Sequence, residues 1–364
     1  MYLRRACELA VRGRGSTSPN PVVGAVVALG ATTLGEGYHR RRGQPHAEIE
    51  ALADAAARGN DVRGSTLYVT LEPCDHMGLT PPCSFALAAA GVGRVVVGAM
   101  DPNPRTAGAG VERLRAFGMA VDVAADPWAS ELVEDFARSA RGVRPYVRLK
   151  LAASLDGYIA PSAGVRHWLT SSQAREFVRE LRARYDAVLV GAATLRIDDP
   201  LLSVRPPRSR GRPFMRAVAC GRHVPSADRA IFAPLEGYAP PILLVPAVAH
   251  AAYSALENVA QVIPIDGPDA ETLDLDAALR ALFVRGIASV LCEGGPALAT
   301  NLLAAGLVDR LDWIVAPKLL GAPEAVRAVR GLPGDTPLIF ERVEPLGPDV
   351  LLSASFENCK ETNV

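Results

Sequence analysis

An α/β fold in two domains is predicted by three features of the 364-residue sequence. Short apolar runs alternate with helical stretches along the chain, as in sheets layered with helices. The length exceeds that of most single domains. A helix stop, a proline and a fresh strand coincide between Gly142 and Pro145, which sets the domains at residues 1–143 and 144–364.

In chain order, "PVVGAVVAL" reads as a strand because it is rich in β-branched residues. "HAEIEALADAAARG" follows as an alanine-rich helix with acids in its first turn and a glycine after its last. "STLYVTLEP" is a strand, "PPCSFALAAAG" a helix opened by proline and closed by glycine, "GRVVVGAMDP" a strand and "VERLRAFGMAV" a helical stretch. "DPWASELVEDFARSARG" is predicted as one amphipathic helix with Leu132, Val133, Phe136 and Ala137 near one face. The second domain restarts at "RPYVRLKLAAS" and continues through "DAVLVGAATL", "MRAVACG", "PPILLVP", "QVIPI", "IASVLCEGGP", "DRLDWIVAP" and "DVLLSASF". Its last strands lack intervening helices. No internal repeat is present, and the Pro- and Arg-rich run at 205–213 reads as a loop.

Lys+Arg and Asp+Glu both number 39, so no net charge draws the chain to nucleic acid or an anionic membrane. The basic clusters "HRRRG" and "RPPRSRGR" read as solvated loops. The start "MYLRRACELA" lacks the apolar core of a signal peptide, and no stretch approaches the roughly 18 apolar residues of a membrane span. A soluble, cytoplasmic protein is expected. Of the six cysteines (Cys7, Cys74, Cys83, Cys220, Cys292, Cys359), only Cys74 and Cys83 stand close enough in sequence to look paired, and in a reducing compartment such a pair suggests metal binding or catalysis.

His46 and Glu48 in "HAE" open a helix, Cys74 follows a strand after Pro73, and Cys83 lies at a helix start. Each alone has a plain explanation as a cap, a solvated acid or a small apolar residue. Together, one imidazole and two thiolates form a three-ligand zinc set that leaves one position free for water. A helix N-terminus favours the thiolate form that zinc needs. Glu48 can then take a proton from that water and pass it to a leaving amine, the chemistry of zinc nucleobase deaminases. The spacing here is C-x8-C, wider than the C-x2-C of the general signature. In the second domain no GxGxxG follows the first strand, so a Rossmann site is not supported. The strand, glycine turn and helix of "IASVLCEGGPALATNLL" offers amides near Gly294 and Gly295 for a phosphate.

The segments "PNPVVGAVV", "GEGYH", "HAE", "EPCDHMGLTPPC" and "DPNPRTAGAG" together resemble the deaminase half of the bifunctional riboflavin-biosynthesis deaminase/reductase family. "RPYVRLKLAASLDGYIA", "HWLTSSQAR", "LRARYDAVLVGAATLRIDDPLLSVR", "CEGGPALA" and "APKLLG" resemble its reductase half. The resemblance covers nearly the whole chain. It implies a cytidine-deaminase-like zinc domain over residues 1–143 and a dihydrofolate-reductase-like, NADPH-dependent domain over residues 144–364. By the resemblance His46, Cys74 and Cys83 hold zinc, Glu48 shuttles the proton, and Asn20, His39 and Asn103 stand near the pyrimidine ribosylamine phosphate.

It also implies that Ala152, Trp168, Thr194, Asp198, Gly294 and Gly295 face NADPH. Lys150, Arg166, Arg182, Leu202, Arg205 and Glu293 face the substrate, with Arg182 and Arg205 as a phosphate clamp. Either Asp198 or Lys150 is a candidate to orient or protonate the reacting group. The implied reactions are hydrolytic loss of an amino group from the pyrimidine and NADPH reduction of the ribosyl chain to ribityl, in a protein expected to be a homo-oligomer.

Two positions depart from the family pattern. Leu79 stands where Arg or Lys is usual, leaving Arg40, Arg41, Arg42 or Arg105 to meet a phosphate, and Glu50 stands where a histidine is common. Two other readings remain: a paralogue acting on another pyrimidine with one half inactive, and a non-enzymatic nucleotide-binding module with a structural zinc. The latter needs a fourth protein ligand, for which His76 is the nearby candidate.

Overall fold

The β-branched runs of the first half form β1 (Gly24–Leu29), β2 (Thr32–Tyr38), β3 (Thr66–Leu71), β4 (Arg94–Ala99) and β5 (Ala120–Val123). They pair in the order β2-β1-β3-β4-β5, with β1 antiparallel to both neighbours and β3, β4 and β5 parallel. This computed structural model describes residues 1–78, 81–205, 210–221, 223–267 and 272–357, and the chain divides into two compact units, Met1–Val143 and Arg144–Val364.

Both faces of the first sheet are covered. Helices α1 (Tyr2–Ala10), α2 (Ala47–Ala57), α3 (Cys83–Ala89), α4 (Ala109–Ala116), α5 (Pro127–Leu132) and α6 (Glu134–Arg141) complete the unit. Ala47, Ala51 and Ala55 of α2 pack with Leu87 and Leu114 on one face, while α1 and α5 bury Ala10, Ala129 and Leu132 on the other. The glycines of "GEGY" permit α2 to lie close on β2, because a Cβ at Gly37 would meet Ala51 N at 2.4 Å and one at Gly35 would meet Ala51 O at 2.3 Å. That approach sets the helix start, with His46 and Glu48, over the sheet. The single helix expected over "DPWASELVEDFARSARG" is instead two. Asp126 caps α5 by accepting from Trp128 N and Ala129 N, and Val133, buried with φ −110° and ψ 6°, breaks the helix before α6. Burial of Leu132 and Val133 while α6 buries none of its residues explains the break: packing holds the first turns only.

The second unit is built on β6 (Tyr146–Ser154), β7 (Tyr158–Ala160), β8 (Ala187–Gly191), β9 (Met215–Ala219), β10 (Ile242–Pro246), β11 (Gln261–Ile265), β12 (Ser289–Cys292), β13 (Arg310–Ala316), β14 (Val326–Arg327), β15 (Leu338–Leu346) and β16 (Asp349–Phe356). Nine of these form one sheet in the order β11-β10-β9-β8-β12-β6-β13-β16-β15, parallel as far as β13 and antiparallel at β16 and β15. The pair β14-β7 stands apart. Its helices are α7 (Ser172–Arg182), α8 (Ala192–Asp198), α9 (Leu275–Val284) and α10 (Pro296–Ala304). The run "AVLV" in β8 is apolar throughout because both faces are covered: Ala187 and Leu189 join the α9 and α10 side, Val188 and Val190 join Leu195, Tyr253 and Leu256 on the other. Each such buried Val or Leu contributes about 1.5–3 kcal/mol. Among the described residues, no helix is long and apolar enough to cross a membrane.

Candidate functional site

In the first unit, His46 is the N-cap residue of α2, Glu48 lies in that helix's first turn, Cys83 opens α3, and Cys74 follows β3. Folding brings His46, Cys74 and Cys83 together, with one ligand atom from each lying within 4.8 Å of the others. His46 Nδ1 stands 3.5 Å from Cys74 Sγ and 3.4 Å from Cys83 Sγ. Tetrahedral coordination with ordinary Zn–N and Zn–S lengths puts such atoms about 3.6 Å apart, so the donor set and its spacing fit zinc. Glu48 is buried, and burial followed by the neighbouring Cys74 charge pushes its carboxyl up to about 7. Cys83, hydrogen-bonded to Cys74, holds the Cys74 thiol down at about 4, and Cys83 itself moves up for the same reason: one proton is shared by the pair. His76 is exposed and lies outside the three-residue group.

Asn20 and His39 meet at this site. His39 is buried, with Nδ1 3.0 Å from Pro45 O and Nε2 3.4 Å from Asn20 Nδ2, and its ring stands edge-on to His46 at 5.2 Å. A carbonyl only accepts, so Nδ1–H donates to Pro45. Burial holds the ring below its ordinary pKa, and in the Nδ1–H tautomer Nε2 accepts from the Asn20 amide. Asn103 bonds within its own loop, its Oδ1 accepting from Arg105 N at 3.2 Å. That loop is tied to the segment that follows β3 and carries Cys74 by a residue not singled out from sequence. Buried Glu72 accepts backbone N–H bonds from Asp101 (3.1 Å), Gly108 (3.0 Å) and Val111 (3.0 Å). Its place in "LEPC", two residues before Cys74, was the available signal.

Of the two departures from the family pattern, Glu50 accepts from Arg40 Nε at 3.0 Å while Arg40 also stacks on Tyr38 at 5.0 Å. This engages Arg40 with protein and leaves Arg41, Arg42 and Arg105 as exposed cations. Leu79 lies outside the described residues.

In the second unit, a cavity of about 1050 Å³ opens at the carboxyl ends of β6, β8 and β9 and the segment after β12. Lys150, Arg166, Arg182, Leu202, Arg205 and Glu293 all line it. So do Ala152, Trp168, Thr194, Asp198 and Gly295. Gly294 contributes through its carbonyl, which accepts from Gly191 N at 3.1 Å and Thr194 Oγ1 at 3.2 Å. Both glycines require positive φ (82° and 94°), and a Cβ on Gly295 would meet Thr194 Oγ1 at 2.7 Å.

Both arginines of the expected clamp line the cavity, but they are held differently. Arg182 is committed to Glu293, with Nε bonded to one carboxylate oxygen, Nη2 to the other at 2.8 Å, and Nη1 donating to Ser203 O at 3.0 Å. Arg205 differs: it is exposed, and Nε donates to Ser203 Oγ at 2.9 Å, aligning the remaining donors. Burial pushes Glu293 up, but Arg182 and Lys150 outweigh it and hold the carboxyl below its ordinary value. Burial likewise lowers Lys150, opposed by Glu293. Asp198 is raised by burial against the pull of Arg166 and Lys150. Trp168 is 61% exposed, with Arg166 4.6 Å and Arg175 5.2 Å from its ring. Leu202, buried at φ 54°, sits in a loop braced by Tyr238, whose hydroxyl accepts from Val204 N at 2.6 Å. Sequence pattern carried no sign of Tyr238, 34 residues away from Val204.

Two family models match the chain: the cytidine and deoxycytidylate deaminase zinc-binding region over residues 1–99, and the RibD C-terminal domain over residues 145–352. The riboflavin biosynthesis protein RibD of Escherichia coli is 40% identical, covering 96% of this chain and 97% of its own. That of Aquifex aeolicus is 37% identical, covering 96% of each. A solved diaminohydroxyphosphoribosylaminopyrimidine deaminase/5-amino-6-(5-phosphoribosylamino)uracil reductase from Thermotoga maritima superposes with a TM-score of 0.81 at 33% identity, covering 98% of this chain and 97% of that one. RibD of Acinetobacter baumannii (form 1) gives 0.79 at 34% identity over 98% of both chains. With a zinc-type donor set in a cytidine-deaminase-like unit, a reductase-like unit following it in sequence and relatives matched over nearly their full length, the chain belongs to the RibD family of bifunctional riboflavin biosynthesis enzymes.

Proposed function

We propose that this chain hydrolyses the 2-amino group of 2,5-diamino-6-(5-phosphoribosylamino)pyrimidin-4-one in its first unit and reduces the ribosyl chain of the product to ribityl in its second, using NADPH. The observation that carries the reading is the three-donor cluster of His46, Cys74 and Cys83 beside buried Glu48. Zinc, when bound by those three residues, supplies the Lewis acidity that makes a water nucleophilic near neutral pH. Glu48 accepts the proton released as water adds to the amidine-like carbon, then delivers it to the departing ammonia. A carboxyl raised toward neutrality by burial suits a group that must do both. Asn20 is oriented by its bond to His39, and Asn103 is held by a loop that Glu72 anchors, so both are available to hydrogen-bond the pyrimidine and its ribosyl phosphate.

In the second unit the nicotinamide cofactor supplies hydride when bound. Ala152, Trp168, Thr194, Asp198 and Gly295 form its side of the cavity in this reading, with Gly294 in the adjoining positive-φ turn that presents backbone amides to a phosphate. Arg205 grips the substrate phosphate. Arg182 and Glu293 act as a rigid wall, and Lys150, held among them, orients the open-chain sugar. Arg166 and Leu202 complete that side. The proposal includes a cytoplasmic homo-oligomer with small-molecule partners only, for which sedimentation gives the assembly state.

The test is incubation of purified protein with the diaminopyrimidine ribosylamine phosphate, with and without NADPH, following ammonia and reduced product separately. Ammonia without NADPH and ribityl product only with it are the expected results. Ribityl product formed equally well with NADH would overturn the choice of cofactor.

A further inference from the structure

The two thiolate donors are separated by eight residues, so no tight turn fixes one relative to the other. A longer closed loop costs more entropy to hold, and a preorganised metal site needs something to hold it. The residues directly after each cysteine meet across the base of this excursion. Ser84 Oγ donates to Asp75 Oδ1 at 2.6 Å, and Ser84 N donates to Cys74 O at 3.2 Å. Cys83 N lies 3.4 Å from Cys74 Sγ, the consequence of that register. Ser84 is fully buried, and Asp75 is braced from outside by Arg113, whose Nε donates to Asp75 Oδ2 at 3.1 Å.

We infer that the Asp75–Ser84 hydrogen bond is a clamp that presets the separation of Cys74 and Cys83, making both residues positioning groups for the metal centre. The inference rests on the reading that His46, Cys74 and Cys83 hold zinc. Neither residue donates to the metal. Their effect is to keep the strand end and the start of α3 at ligand spacing before metal arrives, so that binding does not have to order the loop.

Zinc affinity of the full chain, measured by competition with a chromogenic chelator, tests this without reference to activity. Ser84→Ala and Asp75→Ala cut the same bond from opposite elements, so each should raise the zinc dissociation constant about 10- to 100-fold, the usual range for groups that support metal ligands. The double variant should lie within about threefold of either single one, since the bond can be lost only once. Asp75→Asn keeps an acceptor for Ser84 and discards the charge, so it should bind zinc within about threefold of wild type. An unchanged dissociation constant in Ser84→Ala overturns the clamp, as do additive losses in the double variant or an Asp75→Asn loss as large as that of Asp75→Ala. Wild-type protein that takes up no zinc overturns the zinc reading as well. Tight wild-type binding with an unaffected Ser84→Ala overturns the clamp alone.

Discussion

The centre in the first unit and the cavity in the second assign their residues by opposite means. At the first, three donors within 4.8 Å and one buried acid leave little room for exchange of roles. The chemistry is inherent in the residue types: an imidazole and two thiols at zinc spacing have few other uses. At the second, many residues share about 1050 Å³, and the residue types do not say which of several arginines meets a phosphate. Their pairing differs. Arg182 is bonded to Glu293, whereas Arg205, among the described residues, is bonded through Nε to Ser203. A compact donor cluster is therefore read from residue types, a spacious cavity from its hydrogen bonds.

Five variants test that contrast, in order of expected effect. Cys83→Ser should abolish zinc uptake and deamination together while reduction of pre-deaminated substrate continues, as metal analysis and the two product assays would record. Glu48→Gln should keep zinc and lose at least about 10²-fold in ammonia release, because an amide cannot accept the proton. Near-normal turnover in that variant would assign proton transfer elsewhere. Both changes leave the second site alone if the comparison holds.

Glu293→Gln strands Arg182, which is only 17% exposed, without its counter-charge. Breaking such a pair costs about 3 kcal/mol, to be read as a lower urea midpoint with loss of reduction and normal deamination. Arg205→Lys keeps the charge but loses the planar fork, so KM for the deaminated intermediate should rise about tenfold with NADPH affinity unchanged. A collapse of NADPH affinity instead would move Arg205 to the cofactor side. Glu50→Gln releases Arg40, 58% exposed, from a surface pair worth less than about 1 kcal/mol, so stability and zinc content should hold within error. A large deamination defect there would make Glu50 a working part of the first site.

Local pattern sufficed for much of the fold because alternation and covered faces are written in consecutive residues: "AVLVG" is apolar throughout since both of its faces are buried. It failed over residues 127–141, where a continuous helical pattern hid a break at Val133, because helix continuity depends on which turns find packing partners.

The amino-acid sequence by itself determined the layered α/β architecture, the residue types of the first centre and the glycine turn before α10, all properties of neighbours a few positions apart. Tertiary structure alone decided that His46 presents Nδ1 to both sulfurs, that His39 meets Pro45 through Nδ1 and Asn20 through Nε2, and that Glu72 fastens the Asn103 loop. It also paired Arg182 with Glu293, 111 residues further along the chain. Hydrogen bonds and ion pairs are satisfied by whichever partner folding brings within about 3 Å, and burial fixes how strongly each is held. Sequence spacing carries no record of either.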